Sequence, residues 1–396
     1  MTFPERFLNL PEYAFPRLRA LLDPHPPGAE PINMTIGEPR HAFPDFVGAA
    51  IADSLADFGR YPTNEGTPEL LGAISDWISR RYGVSVAADR LMVLNGTREG
   101  LFNAALALVP ETKRGARPVV LIPNPFYQVY AVAALAAGAE PVFVPARAEN
   151  GHLPDFAGLP RDVLDRTVAA YLCSPANPQG AVASADYLAD LLALAEQHDF
   201  RVFADECYAE IYRDTPPPGI LAVAAAQGAD PERVLAFHSL SKRSNLPGLR
   251  SGFVAGGVAS IRAVRQLRNY AGAPLPLPLQ HAAARVWADE YHVIENRRLY
   301  NDKFALAADI FAGVQGYETP AGGFFLWLPV PEQIGTGEDA ALKLWRETGV
   351  RVLPGGYLGR AVDGLNPADR YIRVALVTPL DDIARGLTAL RDTIFR

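Results

Sequence analysis

Between residues 90 and 255 the chain alternates short apolar runs with helical patterns, and this alternation restricts the fold more than any other feature. Arg90–Leu94, Pro118–Ile122, Pro141–Val144, Val168–Cys173, Arg201–Ala204, Val234–Phe237 and Gly252–Ala255 each read as a strand. Leu101–Leu108, Val129–Ala137 and Ala185–His198 read as intervening helices. The strands are apolar on both faces, as expected of a parallel sheet covered by helices. An amphipathic helix is expected over 68–82, with Pro68 in its first turn and Leu70, Leu71, Ile74, Trp77 and Ile78 on one face.

Beyond residue 280 the pattern changes. A long helix is expected from about Ala282 to Phe311, then strand-like pieces at Gly323–Leu328, Val350–Leu353 and Tyr371–Val377. A last helix carries Leu380, Ile383, Leu387, Leu390 and Ile394 at helical spacing. Residues 1 to about 45 read as irregular and proline-rich, with a docking segment around Phe7–Leu22. The expected class is α/β: a large domain, 45–280, with a mostly parallel sheet sandwiched by helices. A smaller α+β domain would be formed by both termini, 1–44 and 281–396.

Composition narrows the function. A length of 396 residues with 49% hydrophobic and 20% charged residues suits a folded chain with a large core. The net charge of −7, with no basic tail or patch, argues against a nucleic-acid partner. No apolar stretch is long and clean enough to span a bilayer, and Met1–Leu10 shows no signal-peptide pattern. Cys173 and Cys207 lie in apolar strand-like runs without metal-ligand spacing, so reduced core thiols, a cytoplasmic setting and no metal are expected.

In open parallel sheets ligands bind beyond the carboxyl ends of the strands. Polar motifs stand at such ends here: Asn95-Gly96-Thr97-Arg98, Asn124-Pro125-Phe126-Tyr127, Ser174-Pro175-Ala176-Asn177-Pro178, Asp205-Glu206-Cys207-Tyr208 and Ser239-Leu240-Ser241-Lys242. Loops on one sheet edge converge in space, and that convergence carries more weight than any single motif. A lysine leaving a buried strand can lose its charge, become nucleophilic and form imines with carbonyl compounds such as pyridoxal phosphate. Taken alone, Lys242 also reads as a surface lysine in a basic loop.

Gly96-Thr97-Arg98 opens a helix, whose free amides and dipole suit a phosphate. Ser239, Ser241 and the Arg250 fork can complete such an anion site. Asp205 emerges from the core, where a carboxylate can keep a pyridine nitrogen protonated, or where it caps the next helix. Tyr208 and Asn177 can reach a ring oxygen, and Tyr127 can stack on a flat ring. Arg373 is a charge inside an apolar strand, so it needs an anion from the protein or from a substrate.

With these motifs in this order, from Ile36-Gly37-Glu38-Pro39 to Arg373, the chain resembles the class I/II pyridoxal-phosphate aminotransferases of fold type I. The resemblance implies that Lys242 holds the cofactor aldehyde and shuttles the proton, and that Asp205 pairs with the pyridine nitrogen. Tyr208 and Asn177 would contact the ring oxygen and Tyr127 would stack on the ring. Gly96, Thr97, Arg98, Ser239, Ser241 and Arg250 would hold the phosphate. Arg373 would grip the substrate α-carboxylate, with Gly37 and Asn177 beside it. Tyr61 would reach the neighbouring subunit's phosphate, implying a homodimer with shared sites. Leu71 departs from the pattern, since relatives often carry arginine there.

Within the family, Ile36–His41, Ser174–Gly180 and Trp287–Val293 are similar to succinyldiaminopimelate transaminases of lysine synthesis. The resemblance implies a succinylated amino donor with 2-oxoglutarate and glutamate as the other pair. Arg40, His41 and Arg17 are candidates for the distal end of such a substrate, and Pro274–Pro278 is expected to border its pocket. The same cofactor serves aspartate and aromatic transaminases and β-lyases. A cofactor-binding regulator would need an added DNA-binding domain, and a nicotinamide enzyme would need a strand followed by a G-x-G-x-x-G turn, which this chain lacks.

Overall fold

The computed structural model of the protein describes residues 4–8, 10 and 12–396. A short strand, β1 (Ile32–Asn33), precedes a seven-stranded sheet. Its members are β2 (Leu91–Leu94), β3 (Val119–Asn124), β4 (Glu140–Pro145), β5 (Thr167–Cys173), β6 (Arg201–Asp205), β7 (Val234–Ser239) and β8 (Gly252–Gly256). The spatial order is β2-β8-β7-β6-β5-β3-β4. The pairs β3·β4, β3·β5, β5·β6 and β6·β7 are parallel, whereas β8 runs antiparallel to both β2 and β7.

Alternate residues of one strand feed two cores, which is why the strands are apolar on both faces. Val119 and Leu121 enter one core, Val120 and Ile122 the other. The helix Pro68–Tyr82 closes the first, with Thr67 capping it through Leu70 N. The helices Thr97–Leu108 and Gln128–Ala136 close the second. After β4 the chain returns to the opposite side of β3 to form β5, so a crevice opens beyond the ends of β3 and β5.

Three further strands, β9 (Phe325–Pro329), β10 (Val350–Arg351) and β12 (Tyr371–Ala375), cover a separate core that includes Leu326, Ile372, Val374 and Leu387, and β11 (Leu353–Pro354) lies beside it. Strand β12 lies between β11 and β9, antiparallel to both, and β1 pairs with β10.

Several expectations change. The long helix is two, Leu277–Ala288 and Tyr291–Ile310, because Asp289 turns extended and its carboxylate receives His292 N. The first of these helices packs Ala282, Ala283 and Trp287 into the large-sheet core. The segment read as irregular contains a helix, Ala14–Leu22, whose Leu18 and Leu22 pack on Trp345, Leu353 and Tyr357. Asn9 and Pro11 of the expected docking segment lie outside the described residues. The run Val350–Leu353 breaks at Val352 into β10 and β11. Cys207 sits in the turn after β6 rather than in a strand. Among the described residues no helix is long and apolar enough to cross a membrane.

Candidate active site

The polar strand ends meet around one cavity of about 440 Å³, within the usual size range of small-molecule sites. Lys242 enters it from the short helix Leu240–Arg243, in the connection between the antiparallel neighbours β7 and β8. Its Nζ donates to the Gly37 carbonyl at 2.5 Å. Burial pushes this amine down to about 8, assisted by the charges of Arg373 and Arg250 against the opposing pull of Cys207 and Glu38. The neutral amine is therefore far more accessible than in an exposed lysine.

Asp205 closes the cavity floor at 3% exposure. Burial raises its pKa, while hydrogen bonds from the Tyr130 hydroxyl (2.7 Å) and the Cys207 amide (3.4 Å) hold it down. Tyr208 and Tyr127 line the walls, and the Tyr127 oxygen accepts from Arg98 Nε at 2.6 Å.

At one end lies an anion cradle. Gly96 begins the helix Thr97–Leu108 at φ 83°, and a Cβ there would sit 2.2 Å from Arg250 Nη2. Glycine is thus required both by conformation and by the approach of the guanidinium. Arg250 donates to the carbonyls of Pro247 and Asn95 at 2.8 and 3.1 Å. Ser239 Oγ receives Ser241 N and lies 2.9 Å from Ser241 Oγ.

At the other end Arg373, on β12, is 5% exposed. Its Nη atoms donate to Asn177 Oδ1 (3.0 Å) and the Thr35 carbonyl (2.8 Å), and among the described residues its Nε has no partner. Burial pushes this guanidinium down to about 10. A buried cation with no carboxylate attached is an unfinished ion pair, open to a substrate anion.

Thr97, Arg98, Tyr127, Asn177, Asp205, Tyr208, Ser239, Ser241, Lys242, Arg250, Gly37 and Arg373 all line this cavity, and Gly96 stands behind Arg250. Tyr61 does not line it: its side chain is fully exposed on the surface. The proposed distal residues are elsewhere. Arg17 pairs with Glu338 and covers Tyr357, while His41 is held by Asn296 and Lys303. Pro274–Pro278 does not border the cavity, because Leu275 is buried in the core and Pro276 caps the next helix. Tyr130 was not foreseen. Its only trace in sequence is a lone hydroxyl in an alanine-rich helix, one turn after Tyr127.

A captive amine with a lowered pKa, a buried carboxylate, an anion cradle and an open guanidinium define a site for amine chemistry on a phosphorylated, aldehyde-bearing ring. The unpartnered Arg373 Nε and the cavity size fit that cofactor together with an amino acid.

The chain belongs to the family "Aminotransferase class I and II", whose model matches residues 29–390, and it is accordingly a pyridoxal-phosphate-dependent transaminase. It is 32% identical over 397 residues to an LL-diaminopimelate aminotransferase of Dehalococcoides mccartyi, covering 98% of each chain. It is 31% identical to that of Desulforudis audaxviator, covering 100% of this chain and 99% of the relative. A crystal structure of an aminotransferase from Neisseria meningitidis superposes with a TM-score of 0.94 at 36% identity, covering 100% of both chains. A probable N-succinyldiaminopimelate aminotransferase from Thermus thermophilus gives 0.83 at 26% identity, covering 96% of this chain and 98% of that one.

Proposed function

We propose that this transaminase acts on dicarboxylic donors of the diaminopimelate type, including the succinylated form, with 2-oxoglutarate and glutamate as the second pair, in lysine synthesis. The observation carrying this reading is the charge of the cavity. Arg98, Arg250 and Arg373 line it and none is paired with a carboxylate among the described residues. A cofactor phosphate uses the Arg250 end and a substrate α-carboxylate uses Arg373. Arg98 touches phenols rather than a carboxylate, so its guanidinium is available to a second substrate carboxylate. Two of the relatives above are named LL-diaminopimelate aminotransferases, and diaminopimelate carries a second carboxylate.

When bound, pyridoxal phosphate supplies an aldehyde for amine capture and an electron-withdrawing ring. The remaining tasks fall to side chains. Lys242 Nζ, whose charge burial disfavours, would take the substrate α-proton and return it to the cofactor's aldehyde carbon. Asp205 holds the proton on the ring nitrogen, and its own burial makes that contact strong. Tyr208 and Asn177 donate to the ring oxygen, with Asn177 also fixing the Arg373 fork. Tyr127 would stack on the ring. Thr97, Ser239, Ser241 and Arg250 hold the phosphate.

The exposed Leu55, Phe58 and Tyr61 form an apolar run that suits burial in a homodimer, with Tyr61 reaching the partner's site. The two free cysteines suit a cytoplasmic setting.

The test has two arms. Lys242→Ala should lose the visible absorbance of the bound cofactor and all measurable turnover; full turnover would end the reading. Arg98→Met should lower kcat/KM for LL-diaminopimelate, its succinyl derivative and glutamate by roughly 100-fold, and for phenylalanine by under about threefold. Equal loss on all donors would return Arg98 to the phosphate. Pyruvate release from β-substituted amino acids without a keto acceptor would mark a lyase instead.

A further inference from the structure

The helix Tyr291–Ile310 presents Asn296, Tyr300 and Lys303 on one face, at spacings that bring them into line. Lys303 is only 4% exposed, and among the described residues its Nζ finds a single hydrogen-bond partner, His41 Nε2 at 2.7 Å. The His41 ring packs on Tyr300 at 4.5 Å, and Lys303 Nζ lies 5.2 Å from the centre of the same ring. The opposite ring nitrogen of His41, Nδ1, lies 2.9 Å from Asn296 Oδ1. An amide oxygen only accepts, so Nδ1 carries the proton and Nε2 offers its lone pair to the lysine. Asn296 is saturated. Its oxygen also receives Asn245 Nδ2, and its nitrogen donates to the main-chain carbonyls of Lys242 and Arg243 at 3.3 and 3.4 Å. The network therefore runs from a buried ammonium, through a histidine of fixed tautomer, to the backbone of Lys242.

Its other end holds the segment that faces the substrate. Between Thr35 and His41 the chain has four long-range side-chain anchors. Arg373 donates to the Thr35 carbonyl, Lys242 to the Gly37 carbonyl, and Lys303 and Asn296 hold the two ring nitrogens of His41. The first two are made by side chains that have other work in the cavity. Lys242 Nζ leaves the Gly37 carbonyl whenever it acts as nucleophile or base, and Arg373 answers to the substrate carboxylate. The Lys303–His41 contact lies outside the cavity and is indifferent to those events.

We propose that Lys303, His41 and Asn296 are positioning residues that clamp the Thr35–His41 segment to the Lys242 backbone throughout turnover. This rests on Lys242 being the working amine. The buried charge is retained because it is the donor the neutral histidine needs; an apolar side chain of that length would fill the space and leave Nε2 orphaned.

The test is hydrogen–deuterium exchange on the holoenzyme, read at peptides covering 35–43 and at β5–β7, together with steady-state kinetics. Lys303→Met should raise exchange across 35–42 at least tenfold and leave β5–β7 unchanged. It should raise KM for the amino donor about tenfold, with kcat changed less than threefold. His41→Ala should match it, and His41→Gln, which keeps an acceptor near the Nε2 position, should recover most of both effects. Should Lys303→Met fail to fold, His41→Ala, at a half-buried position, decides the matter alone. Unchanged exchange and KM in His41→Ala overturn the proposal, as does His41→Gln behaving like His41→Ala. The exchange result is independent of turnover: a Lys242→Ala enzyme that still transaminates would sink the role of Lys242 without altering it.

Discussion

Arg243 and Arg373 are both buried guanidiniums, 2% and 5% exposed, and their surroundings are opposite. Arg243 is neutralised by the protein, although its Nε, like that of Arg373, has no hydrogen-bond partner among the described residues. It donates to Glu290 at 2.8 Å and to the carbonyls of Val286 and Asp289, and it lies between the rings of Trp77 and Trp287. Arg373 has an amide oxygen, a backbone carbonyl and a phenylalanine face, and among the described residues no carboxylate. A buried cation that the fold neutralises serves the fold. One that the fold leaves without its anion is kept for something that comes and goes. The contrast is sharpest at Lys242 and Arg243, adjacent in sequence, one turned into the cavity and the other into the core.

The largest expected effect separates the two arginines. Arg373→Leu should lower kcat/KM for amino acids by roughly 100- to 1000-fold, because the substrate carboxylate loses its desolvated partner. Its thermal midpoint should stay level or rise, since an unpaired buried charge has been replaced by packing. Arg243→Leu should do the reverse, costing roughly 3 kcal/mol of unfolding free energy by urea titration, with kcat per folded molecule reduced less than about fivefold. Equal destabilisation by both substitutions would break the comparison.

A second, smaller effect sharpens it through pH. The neutral fraction of Lys242 should set the rate at which cofactor-free protein captures pyridoxal phosphate. With the amine pushed to about 8, the rate should climb roughly tenfold between pH 7 and 9 and then level, where an ordinary lysine would still be climbing. Arg373 contributes to that depression by charge repulsion, so Arg373→Leu should move the midpoint upward. Arg243, neutralised by Glu290, should leave it in place on substitution. The same shift has a stability consequence. Between the folded value near 8 and the unfolded value near 10.5 the unfolded chain holds a proton that the native chain lacks. Stability of the cofactor-free protein should therefore rise with pH across that window, and Lys242→Met should flatten the rise.

Much of this was legible because it follows from periodicity. Doubly apolar runs require a sheet covered on both faces, and polar residues at their ends must gather at one edge. The reversed direction of β8 was not legible, since an apolar run carries no sign of its direction. The break at Asp289 was hidden because its neighbours continue a helical pattern and only the side-chain cap ends it. In the site, residues at strand ends were placed by topology alone. Arg373 stayed open between an ion pair and a ligand because sequence shows burial without showing the partner. Tyr130 was missed for a related reason: it acts through Asp205, and a contact between side chains on separate elements leaves no spacing to read.

Asp205 is the anionic counterpart of Arg373, buried and only partly satisfied, and Tyr130 is where its balance can be altered most gently. The Tyr130 hydroxyl donates to Oδ2 at 2.7 Å, and its ring is stacked on Tyr171 at 4.5 Å and 10°. Tyr171 in turn donates to the Leu101 carbonyl in the helix that begins at the anion cradle. The carboxylate is thus held by a ring pair that cannot swing. Burial pushes Asp205 toward protonation and the Tyr130 bond opposes it. Tyr130→Phe removes the opposition without changing the packing, so the carboxylate should protonate at higher pH and lose its hold on the ring nitrogen. A hydrogen bond to a charged group is worth about 1.5–3 kcal/mol. The expected loss is therefore roughly tenfold in kcat, with KM steady and the acid limb of the pH profile displaced upward. Tyr171→Phe keeps the stack and the bond to Asp205, so its loss should stay under about threefold with the acid limb unmoved. If both substitutions displace the limb equally, the ring pair acts as packing and Asp205 takes its balance from Cys207 and His238.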